Sequence, residues 1–169
     1  MLKYFTSSTT FAEVPDEVNL YITITGCRIR CPRCNSKWLW EHDGIPLTPE
    51  RMRSLLNDNR RCTCICIGGG DDFEELNTLF KLIKTEGTQY RTEGFKTCWY
   101  TGYDSIPKEI NLGYLDYIKI GHFNGHPLND SQTNQRMFKI HSEMNEENKV
   151  THLKMEDITY VFYNKSNKM

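Results

Sequence analysis

The chain has 169 residues, 25% of them charged, and its 21 Lys and Arg nearly balance 22 Asp and Glu to a formal net charge of -1. With no long run of one sign, that balance argues against a nucleic-acid or anionic-membrane binder, and no apolar run approaches the roughly 18 residues of a spanning helix. The length fits one domain, residues 1–169, which buries roughly 70% of its unfolded surface without metal or disulfide staples, so any metal is expected to be functional.

In chain order, Val18, Leu20, Ile22 and Ile24 alternate as a half-buried strand does, and that strand runs straight into Gly26 and Cys27. Thr48-Pro49-Glu50 reads as an N-cap with proline at the first helical position. Met52, Leu55 and Leu56 give that helix an apolar face, and it is expected to end near residues 57–60. Residues 62–67 predict a strand, Gly68-Gly69-Gly70 breaks it, and Phe73, Leu76, Leu79, Phe80 and Ile83 mark a second amphipathic helix. Two further strands are expected over residues 95–100 and 115–120, with a short helix around residues 107–110 between them. Residues 121–135 read as a long loop, and residues 158–163 as a last strand. Strands alternating with helices predict an α/β fold with a mainly parallel sheet. Because 169 residues fall short of the roughly 250 of a closed eight-fold barrel, an incomplete (partial) β/α barrel or open sheet is expected.

Seven cysteines follow an N-terminus, Met1-Leu2-Lys3-Tyr4-Phe5-Thr6-Ser7, that lacks a signal-peptide core. A cytoplasmic protein is therefore expected, with thiols and metal ligands rather than disulfides. Three of the cysteines form a Cys-x3-Cys-x2-Cys array in Cys27-Arg28-Ile29-Arg30-Cys31-Pro32-Arg33-Cys34. Iron-sulfur clusters and structural zinc sites usually take four protein ligands, so three thiolates imply an open coordination position. The alternative is a structural zinc completed by a donor such as His42, in a non-catalytic interaction module.

An array of this spacing directly after a strand resembles the radical S-adenosylmethionine superfamily. Gly69-Gly70-Asp71 is similar to that superfamily's glycine-rich acidic motif. Trp99-Tyr100-Thr101-Gly102-Tyr103, Asp116-Tyr117-Ile118-Lys119-Ile120-Gly121 and Thr133-Asn134-Gln135-Arg136 resemble the later blocks of the activases of class III anaerobic ribonucleotide reductase. The resemblance covers residues 19–140. Two departures are visible: residues 11–16 replace a Gly-Pro-Gly-Ile-Arg stretch, and Arg33 precedes the third cysteine where glycine is usual. The resemblance implies a 4Fe-4S cluster held by Cys27, Cys31 and Cys34, which serve as both metal ligands and catalytic residues. It also implies S-adenosyl-L-methionine as cosubstrate, contacted by Arg33, Cys34, Asn35, Gly69, Gly70, Asp71 and Thr101. The implied partners are the reductase itself, as protein substrate, and a low-potential electron donor such as a flavodoxin or ferredoxin. A different radical enzyme of the same superfamily is the neighbouring alternative.

Independently of the resemblance, the glycine turn is a weak phosphate cradle. Asp71, Asp72, Glu74 and Glu75 oppose a phosphate and suit a ligand bearing an ammonium and a sulfonium, while also complementing a helix dipole. Cys62, Cys64 and Cys66 alternate on a strand and are expected to line one sheet face as buried thiols, as is Cys98. His122, His126, His141 and His152 lack ligand spacing and are assigned no role. Trp38, Trp40, Trp99, Tyr100 and Tyr103 are expected to be mostly core or partner surface, with Trp38 and Trp40, just beyond the cysteine array, able to exclude water from it.

Overall fold

The structure, a computed structural model, describes residues 1–166. The chain runs β1 (Lys3–Thr10), β2 (Asn19–Ile24), β3 (Ile45–Pro46), α1 (Pro49–Asp58), β4 (Cys64–Gly68), α2 (Phe73–Glu86) and β5 (Lys96–Tyr100). It continues through β6 (Tyr117–Ile120), β7 (Arg136–Met144), β8 (Val150–Asp157) and α3 (Tyr160–Ser166). Among the described residues the strands make one sheet in the order β3-β1-β2-β4-β5-β6-β7-β8. Its centre, β2-β4-β5-β6, is parallel, and both flanks are antiparallel. The mainly parallel sheet expected from the sequence therefore describes the four central strands, and the sheet as a whole is mixed.

Helices α1 and α2 carry the chain back across the sheet from β2 to β4 and from β4 to β5, which makes those pairs parallel. Helix α1 starts at Pro49 because the Thr48 hydroxyl accepts the Arg51 amide at 3.1 Å. Helix α2 starts at Phe73 because the Asp72 carboxylate accepts the Glu75 amide at 3.1 Å. Their apolar stripes, Met52 and Leu56 from α1 and Leu76, Phe80 and Ile83 from α2, are buried against Ile22, Ile24, Ile65, Ile67, Trp99 and Ile118. Side-chain alternation sends Cys64, Cys66, Cys98 and Tyr117 to the other face, where Val14, Leu128, Met137 and Ile158 cover them. All five residues of β4 are buried, as a central strand covered on both sides must be.

Two expected elements differ. Between β5 and β6 the chain makes a turn, with the Ile110 amide on the Pro107 carbonyl at 3.2 Å, and then a 3-10 helix at Leu112–Tyr114. At the C-terminus the last strand ends at Asp157, and residues expected as strand begin a helix instead. The Asp157 carboxylate accepts the Thr159 amide at 2.9 Å and turns the chain. Ile158, Val161 and Phe162 then reach the thiol-lined face together, a spacing of three and four residues that suits a helix.

Candidate metal centre

Strands β2, β4, β5 and β6 end level with one another: Thr23 pairs with Gly68, Gly68 with Tyr100, and Tyr100 with Lys119. The C-terminal edge of a parallel sheet is where such folds place ligand sites, because the connecting segments converge there. Here the edge is laced from strand to strand. The Gly69 amide donates to the Tyr100 carbonyl at 2.8 Å, Thr101 to Lys119 at 2.8 Å, and Gly121 to Tyr103 at 2.7 Å.

The cysteine loop leaves the end of β2 through Gly26. It is tied to the 3-10 turn Lys37–Trp40 by the Gly26 amide on the Glu41 carbonyl, 2.8 Å, and the Cys27 amide on the Leu39 carbonyl, 2.9 Å. Within the loop the Cys34 amide donates to the Cys31 carbonyl at 3.0 Å. Cys31 is buried, and Cys27 and Cys34 are half-buried. Two of the sulfurs already receive amide protons: Ser36 N–H donates to Cys34 Sγ at 3.3 Å, and Phe123 N–H, just past β6, donates to Cys31 Sγ at 3.4 Å. Such N–H···S contacts stabilise metal-bound thiolates.

The glycine turn meets this loop directly. The Asp71 carboxylate accepts the Arg28 amide at 3.3 Å, with the Arg28 guanidinium Nε at 3.6 Å. Gly69 and Gly70 have φ of 85° and 84°, the left-handed region that favours glycine. A Cβ on Gly69 would lie 3.1 Å from the Ile24 carbonyl oxygen, and one on Gly70 would lie 3.3 Å from Leu76. These glycines are thus required by the backbone and by β2 and α2. The Trp99 indole fixes the turn by donating to the Gly69 carbonyl at 2.8 Å. From β5, Gly102 passes so close that a Cβ would stand 3.1 Å from Ile29 and 3.7 Å from Cys31 Sγ.

A cavity of about 320 Å³ opens at the ends of β2 and β4, lined by Thr25, Gly26, Arg28, Gly70, Asp71 and Glu75 among others. Of the residues expected to contact a cosubstrate, Gly70 and Asp71 reach it. Gly69 and Thr101 shape the edge beside it, with Thr101 Oγ1 accepting the Tyr103 amide at 3.3 Å. Tyr103 stands near Asp71, and burial together with that carboxylate pushes its phenol above the ordinary range. Arg33 instead points toward the 121–135 loop, where a Cβ on Gly125 would meet its side chain at 2.7 Å. Asn35 is exposed and does not line the cavity.

Among the described residues no three His, Cys, Asp or Glu side chains gather around one point as a single ion requires. The His42 ring packs over Gly26, where a Cβ would fall 2.5 Å from its Nδ1. A cluster is a different demand, since it spreads its thiolates over separate irons. Three sulfur donors on one irregular loop, two of them receiving amide protons, fit that group. So does the Trp40 indole nitrogen beside the loop, which is buried without an acceptor.

The remaining thiols are buried, and two of the histidines pair with carboxylates. Burial pushes the Cys64 and Cys98 thiols well above the ordinary range, which leaves them unreactive. Cys62 departs from the expectation of a shared face. It precedes β4 and packs on the helix side, 3.9 Å from the Thr9 hydroxyl. His122 bonds Asp104 and His126 bonds Asp130, each at 2.8 Å through Nδ1. The links Arg28 to Asp71 and Phe123 to Cys31 join residues 43 and 92 positions apart, and no local sequence pattern announces them.

The family model described as "4Fe-4S single cluster domain" matches residues 17–148, and the chain belongs to that family. Over 98 residues the chain is 26% identical to 7-carboxy-7-deazaguanine synthase of Aquifex aeolicus (strain VF5), which covers 56% of this chain. The match takes in 43% of the synthase, so the chain spans less than half the length of that relative. No solved structure matches the chain. The two sequence matches support the resemblance to the radical S-adenosylmethionine superfamily.

Proposed function

We propose that this 4Fe-4S single cluster domain protein is a radical S-adenosylmethionine activase that installs a glycyl radical on an anaerobic ribonucleotide reductase. The observation that carries the reading is the meeting of the cysteine loop and the glycine-rich acidic turn at one sheet edge, through Asp71 and the Arg28 amide. In this reading the four parallel strands and their helices are the partial β/α barrel unit, and the protein works in the cytoplasm.

When bound, the cluster supplies one-electron reductive cleavage of S-adenosylmethionine to methionine and a 5′-deoxyadenosyl radical, which takes a hydrogen atom from the partner's glycine. The chain's own residues have narrower tasks. Cys27, Cys31 and Cys34 would hold the cluster through their three thiolates. Asp71, at the cavity wall, offers a carboxylate to the ammonium of the cosubstrate, and the left-handed turn at Gly69 and Gly70 fixes its position. The Thr133-Asn134-Gln135-Arg136 block braces the edge, since Gln135 Nε2 donates to the Gly121 carbonyl at 3.2 Å. The exposed Arg28, Arg30, Arg33 and Lys37 around the loop suit an acidic electron donor of the flavodoxin or ferredoxin class.

A second reading, a small-molecule S-adenosylmethionine enzyme, is favoured by the match to 7-carboxy-7-deazaguanine synthase. The two are separated by adding the candidate reductase to reduced protein and S-adenosylmethionine under anoxia. Electron paramagnetic resonance should show a protein-based glycyl radical. Cosubstrate cleavage without that signal favours the small-molecule reading.

A further inference from the structure

Trp40 ends the 3-10 turn that is fastened to the cysteine loop, and the acceptors on either side of it, Leu39 and Glu41, hold the amides of Cys27 and Gly26. Its ring faces the Arg30 guanidinium, from the stretch between the first two cysteines, and the Lys37 ammonium of its own turn, each 5.7 Å from the ring centroid. Its Nε1–H is buried and, among the described residues, donates to nothing. The contrast with Trp99, whose indole bonds the Gly69 carbonyl, is complete. Buried donors without acceptors are costly and rare in native proteins, so an orphan calls for a missing acceptor.

The sulfur accounting shows where an acceptor is missing a donor. Cys34 Sγ receives the Ser36 amide and Cys31 Sγ receives the Phe123 amide. Cys27, the cysteine joined to the Trp40 turn, is the member of the array with no such donor among the described residues. We propose that the Trp40 indole N–H is a hydrogen-bond donor to the sulfur of the iron-sulfur cluster at its Cys27 side, and that it raises the reduction potential of the cluster. The inference rests on the cluster reading above. Reduction adds negative charge to the sulfurs, so a donor aimed at them stabilises the reduced state more than the oxidised one. Arg30 and Lys37 hold the ring in place and add positive charge of the same sense. Trp40 is therefore a positioning and tuning residue, not a catalytic one.

Trp40→Phe removes the donor and keeps a smaller aromatic ring for the cationic neighbours to face. In anoxically reconstituted protein without S-adenosylmethionine, it should retain the iron and sulfide of the parent. Its midpoint potential, from a redox titration followed by electron paramagnetic resonance, should shift to more negative values. Trp38→Phe, at a side chain 55% exposed, should not shift it. An unchanged or more positive potential in a fully loaded Trp40→Phe protein would overturn the proposal. Should that variant fail to assemble, nitrogen-15 indole spectra of the parent decide: the Trp40 resonance should move and gain exchange protection on cluster loading, and a resonance that does neither overturns the proposal. A parent that takes up no iron would overturn the cluster reading itself, a different failure.

Discussion

The same side chain occupies two different environments in this protein. Cys27, Cys31 and Cys34 sit on an irregular loop at the sheet edge that also carries Arg28, Arg30 and Arg33, and Cys31 and Cys34 each receive an amide donor. Cys64, Cys66 and Cys98 sit inside the sheet, Cys66 directly opposite Cys98, under Val14, Leu128, Met137 and Ile158. A thiol becomes a ligand or nucleophile only as thiolate. The loop supplies donors and positive charge for that form, and the sheet interior penalises it. Environment, rather than residue type, separates the thiols proposed as ligands from the packing ones.

The largest expected effect breaks the comparison on the loop side. Single replacement of Cys27, Cys31 or Cys34 by Ala should abolish S-adenosylmethionine cleavage, read as 5′-deoxyadenosine formed under anoxia with a strong reductant. Any one variant that kept full cleavage would remove that residue from the ligand set. Next in size is Asp71→Asn, which removes the charge facing the cavity. Cosubstrate affinity should fall at least about tenfold, the equivalent of 1.4 kcal/mol, while iron content stays at the parental level. A proportional loss of iron would instead make Asp71 a support of the cysteine loop.

On the sheet side, Cys64→Ala, Cys66→Ala and Cys98→Ala should keep iron and cleavage and lower stability by about 1 to 3 kcal/mol, measured by urea denaturation of the cluster-free chain. Loss of iron in these variants would reveal a second cluster. A smaller effect follows from titration. Burial holds the Cys64 and Cys98 thiols well above their ordinary range in the folded chain, whereas the unfolded chain ionises near about 8.5. Above that pH the unfolded state binds fewer protons than the folded one, so stability should be complete below it and decline as pH rises. Replacing Cys98 by Ala should flatten that alkaline decline; an identical slope would mean that the thiols do not drive it.

Legibility in the sequence followed burial. The alternation at Val18, Leu20, Ile22 and Ile24 and the stripes of α1 and α2 were readable because one face of each is apolar and buried. Strands β1, β7 and β8 carry Thr, Ser, Lys, His and Glu on largely exposed faces, so neither period stood out. The aromatic and β-branched residues after Asp157 read as strand, yet they pack at helical spacing once Asp157 and Thr159 turn the chain. At the site, the cysteine array and the glycine turn announce themselves because each is local. Arg33 and Asn35, placed by resemblance, lie away from the cavity, and the arrival of Phe123 at Cys31 is a product of the β5-β6 pairing that only the fold reveals.

The most direct test of the account is the spectrum of the reduced, anoxically reconstituted protein with and without S-adenosylmethionine. One oxygen-sensitive 4Fe-4S cluster per chain is expected, with an electron paramagnetic resonance spectrum that changes when the cosubstrate is added, because one iron is open to it. Full iron and sulfide with a spectrum indifferent to S-adenosylmethionine would contradict the open-iron site on which the proposed chemistry depends.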